Sequence, residues 1–227
     1  MGNPPARDKA GSAMTIPVVL SIRVRRFAAV AALAVLLASP APAQPASSPK
    51  AFVKELTSTV ITELASSDLS DSDRVKRLRR LLVKYFDIPV VGKFVLGVHW
   101  RRTSEAQFKE FLKLYEIYVA HNYAGLFKQY SGETIDVLRS QPSGGNTTLV
   151  FGRINRASGP PIAMEIRIHK NSSGYKALDL KIEGLSMPLT HRKQFSSVIS
   201  RNRKGVQGLI AALRRATDRF EAQTPSQ

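Results

Sequence analysis

Glu165 and His169 come nearest, among the 227 residues of this chain, to an acid–base pair. They lie four apart in IAMEIRIHKN, a segment whose apolar and polar residues alternate, so both project from one face of a strand. A cross-strand charge pair on a solvated face uses the same two residue types, each partnered by a neighbouring strand, and is the commoner arrangement. A metal centre needs clustered His and carboxylates. The four histidines, His99, His121, His169 and His191, are far apart and form no i,i+4 pair. With no cysteine in the chain there is no thiolate nucleophile, thiolate metal site or disulfide. No G-x-S-x-G elbow, P-loop or G-x-G-x-x-G is present. The expectation is a protein with no catalytic residues, no metal and no cofactor. The alternative of a small exported enzyme with a cone-shaped α+β fold would rest on Glu165 and His169.

The elements that position these residues follow from periodicity. Phe52, Leu56, Val60 and Leu64 recur every four residues and predict a first amphipathic helix. Ser70 caps a second, with Val75, Leu78, Leu82, Tyr85 and Phe86 on its apolar face. Asp87 opens a short helix to about Leu96, with Pro89 in its first turn. Ser104 and Gln107 form a capping-box pattern, and the apolar stripe from Phe108 to Tyr123 predicts a long helix to about Gln129. Four strands are expected near 133–140, 147–156, 162–170 and 174–183, joined by turns rich in Gly, Pro, Asn and Ser. Their short connections imply an antiparallel meander. In the last, Lys176, Leu178, Leu180 and Ile182 are expected to share one face. Gly184 breaks that strand, and Leu185, Met187 and Leu189 follow in an apolar bend before a helix whose first turn accommodates Pro188. A final helix is expected over 205–221. The predicted fold is α+β: a four-stranded antiparallel twisted sheet packed against about six helices.

Residues 23–43 carry the features of a secretory signal: Arg23, Arg25 and Arg26, the apolar run Phe27–Leu37, and Ala41-Pro42-Ala43 as a cleavage site. The apolar run falls short of the ~20 residues that span a bilayer. Met14 is the better start, because residues 1–13 have no signal character. The expected organisation is a signal peptide over 1–43, a disordered linker over 44–49, one domain over 50–215 and a C-terminal tail over 216–227. Residues 1–43 carry five basic residues and one acidic residue, which leaves 29 basic against 16 acidic and a net charge of +13. That balance favours anionic partners. The basic runs Arg74–Arg80, Arg101-Arg102, Arg201–Lys204 and Arg214-Arg215 raise nucleic acid as one. However, the aromatics lie on apolar helix faces rather than interleaved as stacking platforms, and export removes the chain from most nucleic acid. No nucleic-acid partner is expected. Solvated helix faces, or docking to anionic membranes or an acidic partner, remain open for these runs.

Residues 174–213 resemble the C-terminal signature of the MlaC family, periplasmic phospholipid-binding proteins linked to toluene tolerance. The matching residues are Gly174, Tyr175, Asp179, Glu183, Gly184, Ser186, Met187, Arg192, Gln194, Phe195, Gly205, Gly208, Leu209 and Ile210. Tyr85-Phe86-Asp87 with Gly92, Leu96, Gly97 and Trp100-Arg101, and Tyr123-Ala124 before Tyr130-Ser131-Gly132-Glu133, extend the match over roughly 50–215. Tyr175 stands where Trp is common, and Thr190-His191 where Asn-Tyr is common. The resemblance implies a monomeric periplasmic carrier that encloses lipid in an apolar pocket. It would ferry phospholipid between an outer-membrane lipid-handling complex and an inner-membrane ABC transporter, maintaining outer-membrane lipid asymmetry. Another lipid, such as a hopanoid, is the alternative cargo. From the residues alone the apolar stripes read as core; the resemblance makes them pocket. The lipid-binding residues so implied are Phe94, Phe111, Tyr115, Tyr118, Phe151, Met164, Ile166, Ile168, Leu178, Leu180, Leu185 and Met187.

Overall fold

The computed structural model describes residues 46–223. The expected signal segment lies outside the described residues. Helix α1 spans Pro49–Leu64, with Ser48 accepting the backbone N–H of Ala51 as its cap, so the helix begins inside the segment expected to be a linker. Helix α2 is Asp71–Tyr85 and α3 is Ile88–Leu96, followed by a 3₁₀ stretch over Gly97–Arg102. Helix α4, Glu105–Ala124, starts with the expected capping box, Ser104 and Gln107 each bonding the other's backbone N–H. A second 3₁₀ stretch, Gly125–Gln129, leads to the sheet. After the sheet come α5, Met187–Arg201, and α6, Val206–Gln223, which runs through much of the expected tail.

The sheet is antiparallel with its strands in chain order: β1 Thr134–Pro142, β2 Thr147–Asn155, β3 Ile162–Asn171, β4 Gly174–Ile182 and β5 Leu185–Ser186. It therefore has five strands, not the expected four. The fifth arises because Glu183 and Gly184 both take the left-handed conformation, with φ of 51° and 78°. Two such residues make the tight hairpin turn whose twist matches its strands. The chain thus reverses at once, and Leu185 and Ser186 pair with Ile182 and Lys181 instead of entering a loop.

A second correction concerns β4. Its register against β3 shifts between Arg167 and Ile168, so Ala177 pairs with Ile168 while Leu180 and Ile182 pair with Ile166 and Met164. The extra residue carried by a bulge flips the alternation. Ala177, Leu180 and Ile182 share the buried face with Tyr175, and Lys176 leaves the face expected for it: its ammonium reaches the backbone carbonyls of Val83 and Lys84.

The apolar side chains divide into two cores. One joins the inner face of the sheet (Val150, Met164, Ile166, Ile168 and Ala177) to α1, α2 and the C-terminal end of α4. The other fills the space among α3, α5, α6 and the rest of α4, around Phe111, Tyr115, Phe195, Leu209 and Ile210. Helix α4, about 30 Å long at 1.5 Å per residue, contributes to both. Leu82 and Tyr123 pack against both.

Candidate functional site

The two cores share Leu82 of α2 and Tyr123 of α4, and two separate sets of polar contacts lie on the elements around them, one joining β4 to α5 and one joining α5 to α4. The first starts at half-buried Asp179 on β4, whose carboxylate accepts the hydroxyl of Ser186 at 2.9 Å. Ser186 is also the cap of α5, accepting the N–H of Leu189 at 3.2 Å, and its carbonyl accepts the hydroxyl of Thr190. The cap fixes the start of α5 on the sheet edge and so sets where the next turn points. Burial pushes the Asp179 carboxyl up from its usual range, opposed by the Ser186 hydrogen bond and by the charges of Lys181 and Arg167. Arg167 lies opposite Asp179 across the β3–β4 register, and its Nε is buried with no hydrogen-bond partner.

One turn into α5, His191 is buried between tyrosines of α4. Its Nδ1 lies 2.9 Å from the Tyr115 hydroxyl and its Nε2 3.2 Å from the Tyr123 hydroxyl. A neutral imidazole has one N–H and one bare nitrogen. It therefore donates to one tyrosine and accepts from the other, satisfying the ring, the buried Tyr115 hydroxyl and the half-buried Tyr123 hydroxyl at once. The ring stacks against Phe195 and meets Tyr115 and Tyr118 edge to face. Burial lowers the His191 pKa from 6.5 to about 4, so the ring is uncharged near neutrality. Burial likewise pushes the Tyr115 hydroxyl well up, helped by Tyr123 and Tyr118.

The acid–base alternative has a different geometry. Glu165 accepts the ammonium of Lys181 at 2.8 Å, the cross-strand pair that the register dictates. His169 donates from Nε2 to Asp87 at 3.0 Å. Asp87 is the cap of α3 and also bonds β4 through its N–H to the Ala177 carbonyl, so His169 helps dock α3 on the sheet. Each residue is held by its own partner. Among the described residues no group of three or more His, Cys, Asp or Glu is placed to hold a metal. No helix of the described residues is long and apolar enough to cross a membrane.

The twelve implied lipid-binding residues fall in several places. Met164, Ile166, Ile168 and Leu180 form or pack against the sheet core. Phe111 and Tyr115 belong to the helical core, with Tyr118 packed against it. Phe151 projects from the outer sheet face, where the Arg139 guanidinium lies 3.7 Å from its ring centroid. Phe94 is exposed on α3 beneath Arg192. Leu178 sits at the β4 bulge, Leu185 protrudes from β5, and Met187 is half-buried at the first residue of α5. Two hollows are lined by some of them. One, of about 310 Å³, lies among α4, α5 and α6 and includes Tyr118, Phe195, Val198 and Leu213. The other, of about 160 Å³, lies by the β4–β5 turn and includes Phe151, Met164, Glu165 and Lys181. His191, Tyr123 and the Asp179–Ser186 pair were not among the implied residues. The visible signal was three tyrosines, Tyr115, Tyr118 and Tyr123, on one helix, with no sequence clue to the partner they share.

The MlaC protein family profile matches residues 54–215, most of the chain. The chain belongs to the MlaC family. Its fold is also that of a phospholipid-binding protein from Ralstonia solanacearum, whose structure was solved in complex with a phospholipid. The two superpose with a TM-score of 0.66 at 24% sequence identity, covering 76% of this chain and 98% of that one. Within the MlaC match lie the whole helical core, the Asp179–Ser186 pair and His191 with both its tyrosines, while Phe52 and Val53 of the sheet core precede it.

Proposed function

We propose that this chain is a periplasmic phospholipid carrier that shuttles lipid between an outer-membrane complex and an inner-membrane ABC transporter, and so helps maintain outer-membrane lipid asymmetry. The observation that carries this reading is the family match across residues 54–215. The fold shared with a protein solved in complex with a phospholipid supports it. So does the arrangement of two apolar cores meeting at a junction rather than merging into one.

In this reading acyl chains part that junction. Phe111, Tyr115 and Tyr118 are the wall on the helix side, and Met164, Ile166, Ile168 and Leu180 the wall on the sheet side. Leu178, Leu185 and Met187 stand at the rim. Transfer of hydrocarbon out of water supplies the driving force, about 0.8 kcal/mol for each methylene buried. Sixteen carbons are thus worth on the order of 10 kcal/mol before any headgroup contact. The carrier performs no covalent chemistry and acts as a monomer. The signal features of residues 23–43 support a periplasmic location, with a mature chain starting at Gln44.

Native mass spectrometry of protein purified from the periplasm tests the proposal, combined with extraction and identification of bound lipid. A diacyl phospholipid adduct is the expected result. Protein that is uniformly free of lipid, and that takes up none from added liposomes, would refute it.

A further inference from the structure

Helix α3 is apolar on both sides. Ile88, Val91, Val95 and Leu96 are buried, yet Val90 (42% exposed), Phe94 (43%) and, in the following 3₁₀ turn, Val98 (73%) repeat every four residues on the opposite side. A helix apolar all round is normally covered all round. Helix α5 packs beside α3, with the Arg192 guanidinium 5.0 Å from the Phe94 ring centroid. Leu185 (73% exposed) and Leu189 (42%) flank its start. The cations at this face are Lys93, Arg101, Arg102, Arg192 and Lys193. No acidic residue occurs over 88–104 or over 184–217. Among the described residues none of these five cations forms an ion pair.

The basic run on α2 is different. Arg74 is buried against the backbone carbonyls at the end of α1, Arg79 pairs with Glu116, and Arg80 pairs with Glu63. Four cations of α2 thus meet carboxylates and Arg74 meets carbonyls, whereas the five around α3 and α5 stand beside exposed aliphatic side chains without a carboxylate partner. We propose that this face docks on the surface of an anionic phospholipid bilayer. Val90, Phe94 and Val98 enter the headgroup boundary while Arg101, Arg102 and Lys193 meet lipid phosphates. A bilayer offers hydrocarbon beneath phosphate everywhere, so it satisfies both halves of the patch without fixed partner geometry. An acidic protein surface satisfies the cations and leaves the protruding aliphatics unmatched. The inference goes beyond the carrier reading and does not depend on it, because it concerns the outer surface rather than what the cores hold.

Vesicle co-sedimentation tests it. The full mature chain should pellet with vesicles of phosphatidylglycerol and phosphatidylethanolamine, and not with phosphatidylcholine vesicles. It should be released at ~1 M salt, where the Debye length is about 3 Å. Arg101→Ser with Arg102→Ser should weaken binding about 30-fold, two surface cations each being worth roughly a factor of five. Val98→Glu should weaken it about tenfold or more, and its native fold, checked by circular dichroism, should survive because the side chain is exposed. Leu126→Glu, an equally exposed leucine in the 3₁₀ stretch after α4, should leave binding unchanged. Lipid content by native mass spectrometry should be the same in all variants, which separates loss of docking from loss of carriage. Absence of binding to phosphatidylglycerol vesicles at low salt overturns the proposal. So does binding that Val98→Glu leaves intact, or a patch that is titrated by an acidic protein and not by vesicles.

Discussion

His191 should make the protein lose stability as the pH drops, in a window set by burial. The folded ring has a pKa of about 4 against an ordinary 6.5, so between these values the unfolded chain binds the proton that the folded chain refuses. Stability then rises with pH across the window: the contribution is fully present above about 6.5 and is lost as the pH drops through 4. At 1.36 kcal/mol per pH decade, the loss is about 3 kcal/mol, a large share of the 5–15 kcal/mol typical of a domain. Burial alone sets the direction: Tyr115, Tyr118 and Tyr123 pack against the ring and Phe195 covers one face. The assay is urea unfolding from pH 7.5 to 4.5 for wild type and His191→Phe. The variant loses the partner of the buried Tyr115 hydroxyl and should be about 1–3 kcal/mol less stable at pH 7.5. Its pH profile should be flatter, because the carboxylates that also titrate are common to both proteins and cancel in the difference. Two profiles that run parallel across the window would refute the assignment of this pH dependence to His191.

Three further outcomes follow from backbone and burial. Glu183→Asn should stabilise the protein by about 0.5–1 kcal/mol in urea melts, because Glu183 holds the left-handed conformation at φ 51° and Asn bears that geometry at lower cost. Gly152→Ala should destabilise by about 2 kcal/mol or more in the same assay, since its Cβ would stand 2.6 Å from the Asp136 carbonyl oxygen and 2.8 Å from Met164 Cε. Arg74→Met should lower stability by about 3 kcal/mol or more, visible as a drop in Tm, because the buried guanidinium donates to the carbonyls of Leu64 at the end of α1 and of Ser66 and Leu69 in the loop that follows.

Helix boundaries and the α+β class were legible because they rest on local rules. The caps Ser70, Asp87 and Ser104, with Pro89 and Pro188 in first turns, mark helix starts within a few residues of where they are found. The fifth strand was not legible. Glu183 is an ordinary residue with no preference for a left-handed turn, so the pattern showed only Gly184 as a break. The β4 faces were misread for a related reason: a bulge inserts one residue without any sequence mark, and every side chain before it changes face. Lys176 had looked like a partner of Leu180 and proved to be a donor to carbonyls of α2.

The site was the least legible part, because its members are joined by tertiary contact alone. His191 is 76 residues from Tyr115 and 68 from Tyr123, and nothing in its neighbourhood, Leu-Thr-His-Arg-Lys, distinguishes it from a solvated histidine. Histidine spacing reports metal ligands, whereas the partners of His191 are phenols. The basic runs show the same lesson from the other side. Arg74 and Arg101 are alike in a sequence scan, each within a cluster of cations. One proves to be a buried helix cap and the other an exposed cation without an ion pair. What separates them is whether a carboxylate or a carbonyl lies across the fold. Net charge therefore predicts an anionic partner without saying which face will meet it; what marks the α3–α5 face is that five cations without a carboxylate partner stand beside the uncovered side chains of Val90, Phe94 and Val98.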